Sequence, residues 1–211
     1  MALTGLFLCS FILVHLVGNL QLIPALGGQE AFNVYAEFMT TFPAVKAVSY
    51  ILYLSILFHA FDGLWLAYQN MKARPVGYAK NKASANSGWA SRNMALLGTI
   101  VLVFIVTHMQ NFWYKMKFGT IADDDWGAQD LWTVVYKFFQ DPDLGWLFTL
   151  LYVVSMAAVG FHLWHGFKSA FQTLGLNHSR YNPMIQKTGI LFAVVIPLLF
   201  AVIPIYIFLA Q

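Results

Sequence analysis

The chain has 211 residues, 59% of them hydrophobic and only 10% charged, with a formal net charge of +3. A soluble domain of this size carries far more charge on its surface, so the composition excludes an ordinary soluble fold and points to the bilayer. The single cysteine, Cys9, lies in an apolar run, which excludes an internal disulfide framework and a cysteine-ligated metal or iron–sulfur centre.

Stretches of about twenty apolar residues fall at roughly 3–24, 44–70, 93–118, 145–170 and 185–210. In lipid the backbone must satisfy its own hydrogen bonds, so each stretch predicts a helix. None shows the alternation of a membrane barrel strand. The first lacks a basic leading region and runs too long for a cleavable signal peptide. The loop after the second span carries Lys72, Arg74, Lys80, Lys82 and Arg92 without an acid, and its closing Asn-Ser-Gly-Trp predicts a helix start near Ser87 or Ser91. Residues 116–144 form the longest extramembrane piece. There Asp123, Asp124, Asp125, Asp130, Asp141 and Asp143 accompany Trp126, Trp132 and the Tyr136–Phe139 cluster, predicting a short helix lying at the outer surface. The loop after the fourth span has Lys168, Arg180 and Lys187, again without an acid. This lysine and arginine bias puts the second and fourth loops in the cytoplasm, with the N-terminus inside and the C-terminus outside. The expected fold is all-α, a five-helix transmembrane bundle forming a single domain over 1–211.

Of six histidines, five sit inside these spans: His15, His59, His108, His162 and His165, while His178 is in the second cytoplasmic loop. Ionisable groups at membrane depth are rare and usually functional. One such residue is nearly as readily an interhelical hydrogen bond, but four helices each place a histidine well inside the span and the fifth has none. Four imidazoles on facing helices can hold two haems, each from both sides. Glycines strengthen that reading: Gly63 follows His59 and Gly166 follows His162 at i+4, and Gly18 follows His15 at i+3. These positions share the histidine's face, where a side chain would obstruct a flat porphyrin. Small residues also serve helix packing in membranes, and His108 has no such glycine. With two histidines per iron no coordination site stays open, so such haems pass electrons rather than bind oxygen.

His162 and His165 compete for one ligand position, and Gly166 favours His162. At about 1.5 Å per residue, His162 lies roughly 12 Å and His108 roughly 23 Å from the cytoplasmic end, with His15 and His59 between. Pairing His59 with His162 and His15 with His108 gives the smallest total mismatch, although the uncertainty of the span ends leaves other pairings open.

The segment His162-Leu-Trp-His-Gly166-Phe-Lys-Ser-Ala-Phe-Gln-Thr-Leu-Gly175 resembles the haem-ligand helix of the cytochrome b subunit of succinate dehydrogenases and fumarate reductases, with glycines at +4 and +13 from the ligand. Phe58-His59-Ala60-Phe-Asp-Gly63 is similar to the second-helix signature. His15-Leu-Val-Gly-Asn19-Leu and Ser87-Gly-Trp-Ala-Ser-Arg92-Asn-Met resemble further stretches of the single-chain diheme form. The resemblance implies an anchor in the bacterial cytoplasmic membrane. It would bind two haems b and dock an iron–sulfur subunit that carries a flavoprotein oxidising succinate or reducing fumarate. It also implies that His59 and His162 hold the haem nearer that subunit, that His15 and His108 hold the distal one, and that the quinone is menaquinone. Relatives usually begin with a short basic segment, so a piece is expected to precede Met1. Some fumarate reductases of this kind have a glutamate two residues before the fourth ligand; here Gly160 occupies that place, which puts a helix-borne proton path in doubt.

Further candidates are less specific. Arg92 can neutralise a haem propionate or serve as ordinary positive-inside anchoring. Ser87 and Ser91 can bind a propionate or quinone, or cap a helix. His165 is placed to meet a propionate or quinone. Asp62 suits a proton or quinone site equally with an ion pair to Lys72, Arg74 or Arg92. Trp89, Trp113 and Trp146 fit an interfacial aromatic belt. The basic 71–92 loop faces either the iron–sulfur partner or anionic lipid, and nothing in the sequence calls for nucleic acid. Two other functions compete with this one: the cytochrome b of a hydrogenase or formate dehydrogenase, and a metal or proton transporter. The second is disfavoured by the lack of midplane acids and inverted repeats.

Overall fold

The computed structural model describes residues 1–73, 76 and 82–210. Its helices are α1 (Ala2–Leu20), α2 (Gly28–Thr41), α3 (Pro43–Lys72), α4 (Ala83–Asn86), α5 (Trp89–Arg92), α6 (Met94–His108), α7 (Tyr114–Phe118), α8 (Leu131–Phe139), α9 (Gly145–Thr173) and α10 (Asn182–Leu209). A π-helical turn, Met109–Trp113, joins α6 to α7, and a 3₁₀ turn spans Pro24–Leu26. Among the described residues there is no strand, only an isolated bridge between Asp123 and Gln129.

Among the described residues, five helices are long and apolar enough to cross a membrane: Ala2–Leu20, Pro43–Lys72, Met94–Phe118, Gly145–Thr173 and Asn182–Leu209. The chain is a multi-pass α-helical membrane protein. Large apolar side chains on these helices face outward, among them Leu57, Phe61, Val154 and Leu198. In water that would be costly; against lipid tails it is not.

The span boundaries agree with the sequence reading to within a few residues, with one exception. The first helix stops at Leu20 rather than near Pro24, because the chain turns inward and buries Leu22 before Pro24 opens the 3₁₀ turn. The short helix expected between 116 and 144 is α8, whose Val135, Tyr136 and Phe139 are buried. Helix α2 was not anticipated. Neither Ser87 nor Ser91 caps a helix: Gly88 precedes α5 and Asn93 precedes α6, both without a side-chain cap.

At one end, the acidic one, Leu22, Phe32, Phe112, Val135, Tyr136, Phe139, Ile203 and Ile207 form a continuous core. It binds α2 and α8 across the ends of the spanning helices. Asn33, fully buried, is its polar hub. Its amide donates to Asp124 at 2.9 Å and Asp130 at 3.0 Å, and its carbonyl accepts the Trp132 N–H at 2.9 Å. The opposite end carries Lys72, Lys82, Arg92, Lys168, Arg180 and Lys187; Arg74 and Lys80 lie outside the described residues.

Helices α9 and α10 approach most closely at glycines. A Cβ on Gly189 would come within 2.8 Å of the Phe167 ring, and one on Gly160 within 3.1 Å of the Ala193 carbonyl oxygen. Pro197 has no N–H to give the carbonyl four residues back, which is that of Ala193. In lipid a neighbouring helix must cover such a group, and bare Gly160 lets α9 come close enough.

Candidate functional site

Four spanning helices bring their histidines together in two pairs. His15 of α1 and His108 at the end of α6 have ring centroids 5.8 Å apart, with planes at 88°. His59 of α3 and His162 of α9 have centroids 6.1 Å apart, with planes at 68°. All four are half-buried. His165 is half-buried too but joins neither pair, and His178 is exposed and stacks on Tyr181 at 5.2 Å.

A metal–imidazole nitrogen bond is about 2 Å long and the ring centre lies about 1 Å beyond, so two imidazoles on opposite sides of one metal put their centroids about 6 Å apart. Both pairs have that spacing. A protein-bound zinc ion takes three or four protein ligands. Among the described residues, however, no group of three or more histidine, cysteine, aspartate or glutamate side chains converges. Two imidazoles at this spacing, with no third donor among the described residues, suit a metal that brings its remaining ligands with it, as haem iron does. The Nδ1 atom of His162 is buried without a hydrogen-bond partner among the described residues, so this ring has the least protein support of the four.

No family model, curated protein or solved structure matches this chain.

The surroundings of the His15/His108 pair are aromatic. Phe11 stacks on His15 at 5.2 Å and Phe200 lies 5.7 Å from the same ring. Phe104 and Phe112 flank His108 at 5.6 Å and 5.4 Å. Hydrogen-bonding neighbours reach three of the rings: Thr4 Oγ1 lies 3.3 Å from His59 Nδ1, Asn19 Nδ2 3.3 Å from His15 Nδ1, and Tyr152 Oη 3.4 Å from His108 Nδ1. Sequence reasoning missed Thr4 and Tyr152. Each is polar inside a span, a signal that could have singled them out.

The glycines divide differently from their sequence reading. Gly166 has open space at its Cβ position, and Gly63 meets only the Met1 side chain at 3.3 Å. Gly18 serves packing: a Cβ there would strike the Tyr35 ring at 2.4 Å, so it admits α2. Two glycines on other helices sit against histidine rings instead. A Cβ on Gly5 would lie 3.2 Å from His59 Cε1, and one on Gly98 would lie 3.7 Å from His162 Cε1. Gly160 faces α10, away from the histidines.

The remaining candidates lie at the basic end. Arg92 is exposed and donates to the Ser87 carbonyl; Ser87 and Ser91 are half-buried. Asp62 lies 3.1 Å from the amino group of Met1 rather than pairing with Lys72 or Arg92, and Arg74 is outside the described residues. At the acidic end, a cleft of about 540 Å³ is lined by residues including Lys115, Asp130, Lys137, Phe138 and Phe148; none of the histidines borders it.

Proposed function

We propose that the chain is a diheme cytochrome b, the membrane anchor of a succinate:quinone oxidoreductase in a bacterial cytoplasmic membrane. The observation that carries the haem reading is the two imidazole couples, at 6.1 Å and 5.8 Å, with no third ligating side chain at either among the described residues. His59 and His162 would hold one haem, and His15 and His108 the other. When bound, such groups supply one-electron transfer with no open coordination position. The chain's own residues orient the imidazoles, through Thr4 and Tyr152, and exclude water with Phe11, Phe104, Phe112 and Phe200.

The dehydrogenase assignment is supported by the motifs around His15, His59, Ser87–Met94 and His162. The charge bias supports a cytoplasmic basic end, where an iron–sulfur subunit carrying the flavoprotein would dock. Electrons would then pass between that subunit and a membrane quinone, menaquinone by resemblance.

The test is a reduced-minus-oxidised optical spectrum with haem quantitation on the purified protein. Two b haems per chain are expected. His59→Ala and His162→Ala should each lose the same one, His15→Ala and His108→Ala the other, and His165→Ala neither. A protein without haem overturns the reading. Copurification of a hydrogenase or formate dehydrogenase subunit, in place of a flavoprotein with succinate activity, would keep the haems but reassign the complex.

A further inference from the structure

Helix α1 gives His15 to one imidazole pair, and its first turn reaches the other. Thr4 Oγ1 lies 3.3 Å from Nδ1 of His59 on α3, and a Cβ on the next residue, Gly5, would stand 3.2 Å from Cε1 of the same ring. The Nδ1–Cε1 edge of His59 is therefore seated on Thr4 and Gly5, and a side chain at Gly5 would press against it.

The direction of the contact between Thr4 and the ring is set within the helix turn. The Thr4 hydroxyl donates to the Met1 carbonyl at 2.8 Å, a shorter bond than its approach to the ring nitrogen. A hydroxyl has one proton and two acceptor lone pairs, so what Thr4 turns toward His59 is a lone pair. The matching group on the ring is Nδ1–H, and that tautomer leaves the Nε2 lone pair free to ligate. Two of the other rings lack this support. Asn19 presents an amide nitrogen, a donor, to His15, and His162 Nδ1 has no partner among the described residues.

We infer that Thr4 is a positioning residue that fixes His59 in the Nδ1–H tautomer and strengthens it as an axial ligand. This rests on the reading of His59 and His162 as a haem pair. An acceptor on the non-ligating nitrogen makes the ligating one more basic, which favours the oxidised metal and lowers the reduction potential of that haem alone.

The experiment is a redox titration of both haems in the purified complex, comparing wild type with Thr4→Val and Thr4→Ser. Thr4→Val keeps the branched shape and removes the oxygen; Thr4→Ser keeps the oxygen and removes the methyl group. Thr4→Val should retain two haems while the potential of the His59/His162 haem rises and the other stays put. Thr4→Ser should titrate as wild type. The same titration in a His108→Ala background, where only the His59/His162 haem remains, assigns the shift. Thr4→Ala carries the test if the Thr4→Val protein fails to accumulate. Potentials unchanged without the hydroxyl, a shift confined to the His15/His108 haem, or an equal shift in Thr4→Ser would overturn the inference. Wild-type protein lacking haem would instead overturn the proposed function on which it rests.

Discussion

Asn33 makes three hydrogen bonds at a position with no access to water, and two of its partners are carboxylates. Burial opposes the charge on Asp124, but hydrogen bonds from Asn33 and from the Ala128 and Trp126 amides outweigh it and hold the carboxyl below its ordinary range. Burial likewise opposes charge on Asp130, where Thr133, Asn33 and Gln29 outweigh it with the same result. Depressed carboxylate values stabilise the fold above the unfolded value, about 3.9 for aspartate, and that contribution is lost as the pH falls through the folded values. The segment 122–132 should therefore stay protected from hydrogen exchange at neutral pH and open progressively below about pH 4. Replacing Asn33 by Ala removes the shared donor and should cost about 2–3 kcal/mol, seen as a lower unfolding temperature in detergent. In that variant the acid opening should begin at higher pH, because the carboxylates regain more ordinary values. Equal pH profiles for the two proteins would show that Asn33 does not govern this end of the molecule.

At the level of helices, one close constraint lies where α9 meets α10. Gly160 lies against a carbonyl that Pro197 leaves without its helical donor, and the proline ring itself is 3.7 Å from a Cβ built there. Gly160→Val should overpack this crossing at a cost of about 1–3 kcal/mol, lowering the unfolding temperature while leaving both histidine pairs in place. A variant as stable as wild type would mean that the crossing can open without loss. This glycine also marks the limit of what a sequence can tell about helix faces. The five spans were legible because bilayer thickness dictates an apolar run of known length, and the histidines were legible because ionisable groups stand out against it. Helix α2 was not, since its apolar positions are mixed with Gln29, Glu30, Asn33 and Glu37 and its contacts come from distant parts of the chain, α8 among them, as well as from α1 and α3. The same reason explains the glycines. Spacing along one helix links Gly18 to His15, whereas the ring that needs Gly18 bare is Tyr35 on another helix. Gly5 and Gly98 face histidines of partner helices, which no i+4 rule connects.

Across the whole molecule, support is uneven. Helix α10 buries seven residues, among them Ile203, Pro204 and Ile207, whereas α3, thirty residues long, buries only Leu52 and Ser55. The apolar residues Leu54, Leu57, Phe58, Phe61 and Leu64 of α3 point outward. Among the described residues its polar ties to the rest are few: Tyr53 accepts from Trp113 at 2.9 Å, Asp62 meets the Met1 amine, and His59 faces Thr4 and His162. A group ligated by both His59 and His162 would thus be a cross-brace for a sparsely buried span, and anything bound only by the folded bundle adds to its stability. His162→Ala removes that brace through α9 while leaving every residue of α3 in place. Hydrogen exchange along α3 should then accelerate, because local opening follows the weakest packing, while α10 keeps its wild-type protection. His15→Ala, which empties the other pair, should instead loosen α1 and α6 and leave α3 nearly unchanged. If α3 exchanges at the same rate in all three proteins, packing alone holds it and the cofactor adds nothing to the architecture. If its rate rises only in His162→Ala, the helix is placed by the same ligand bond that would make it part of the electron path.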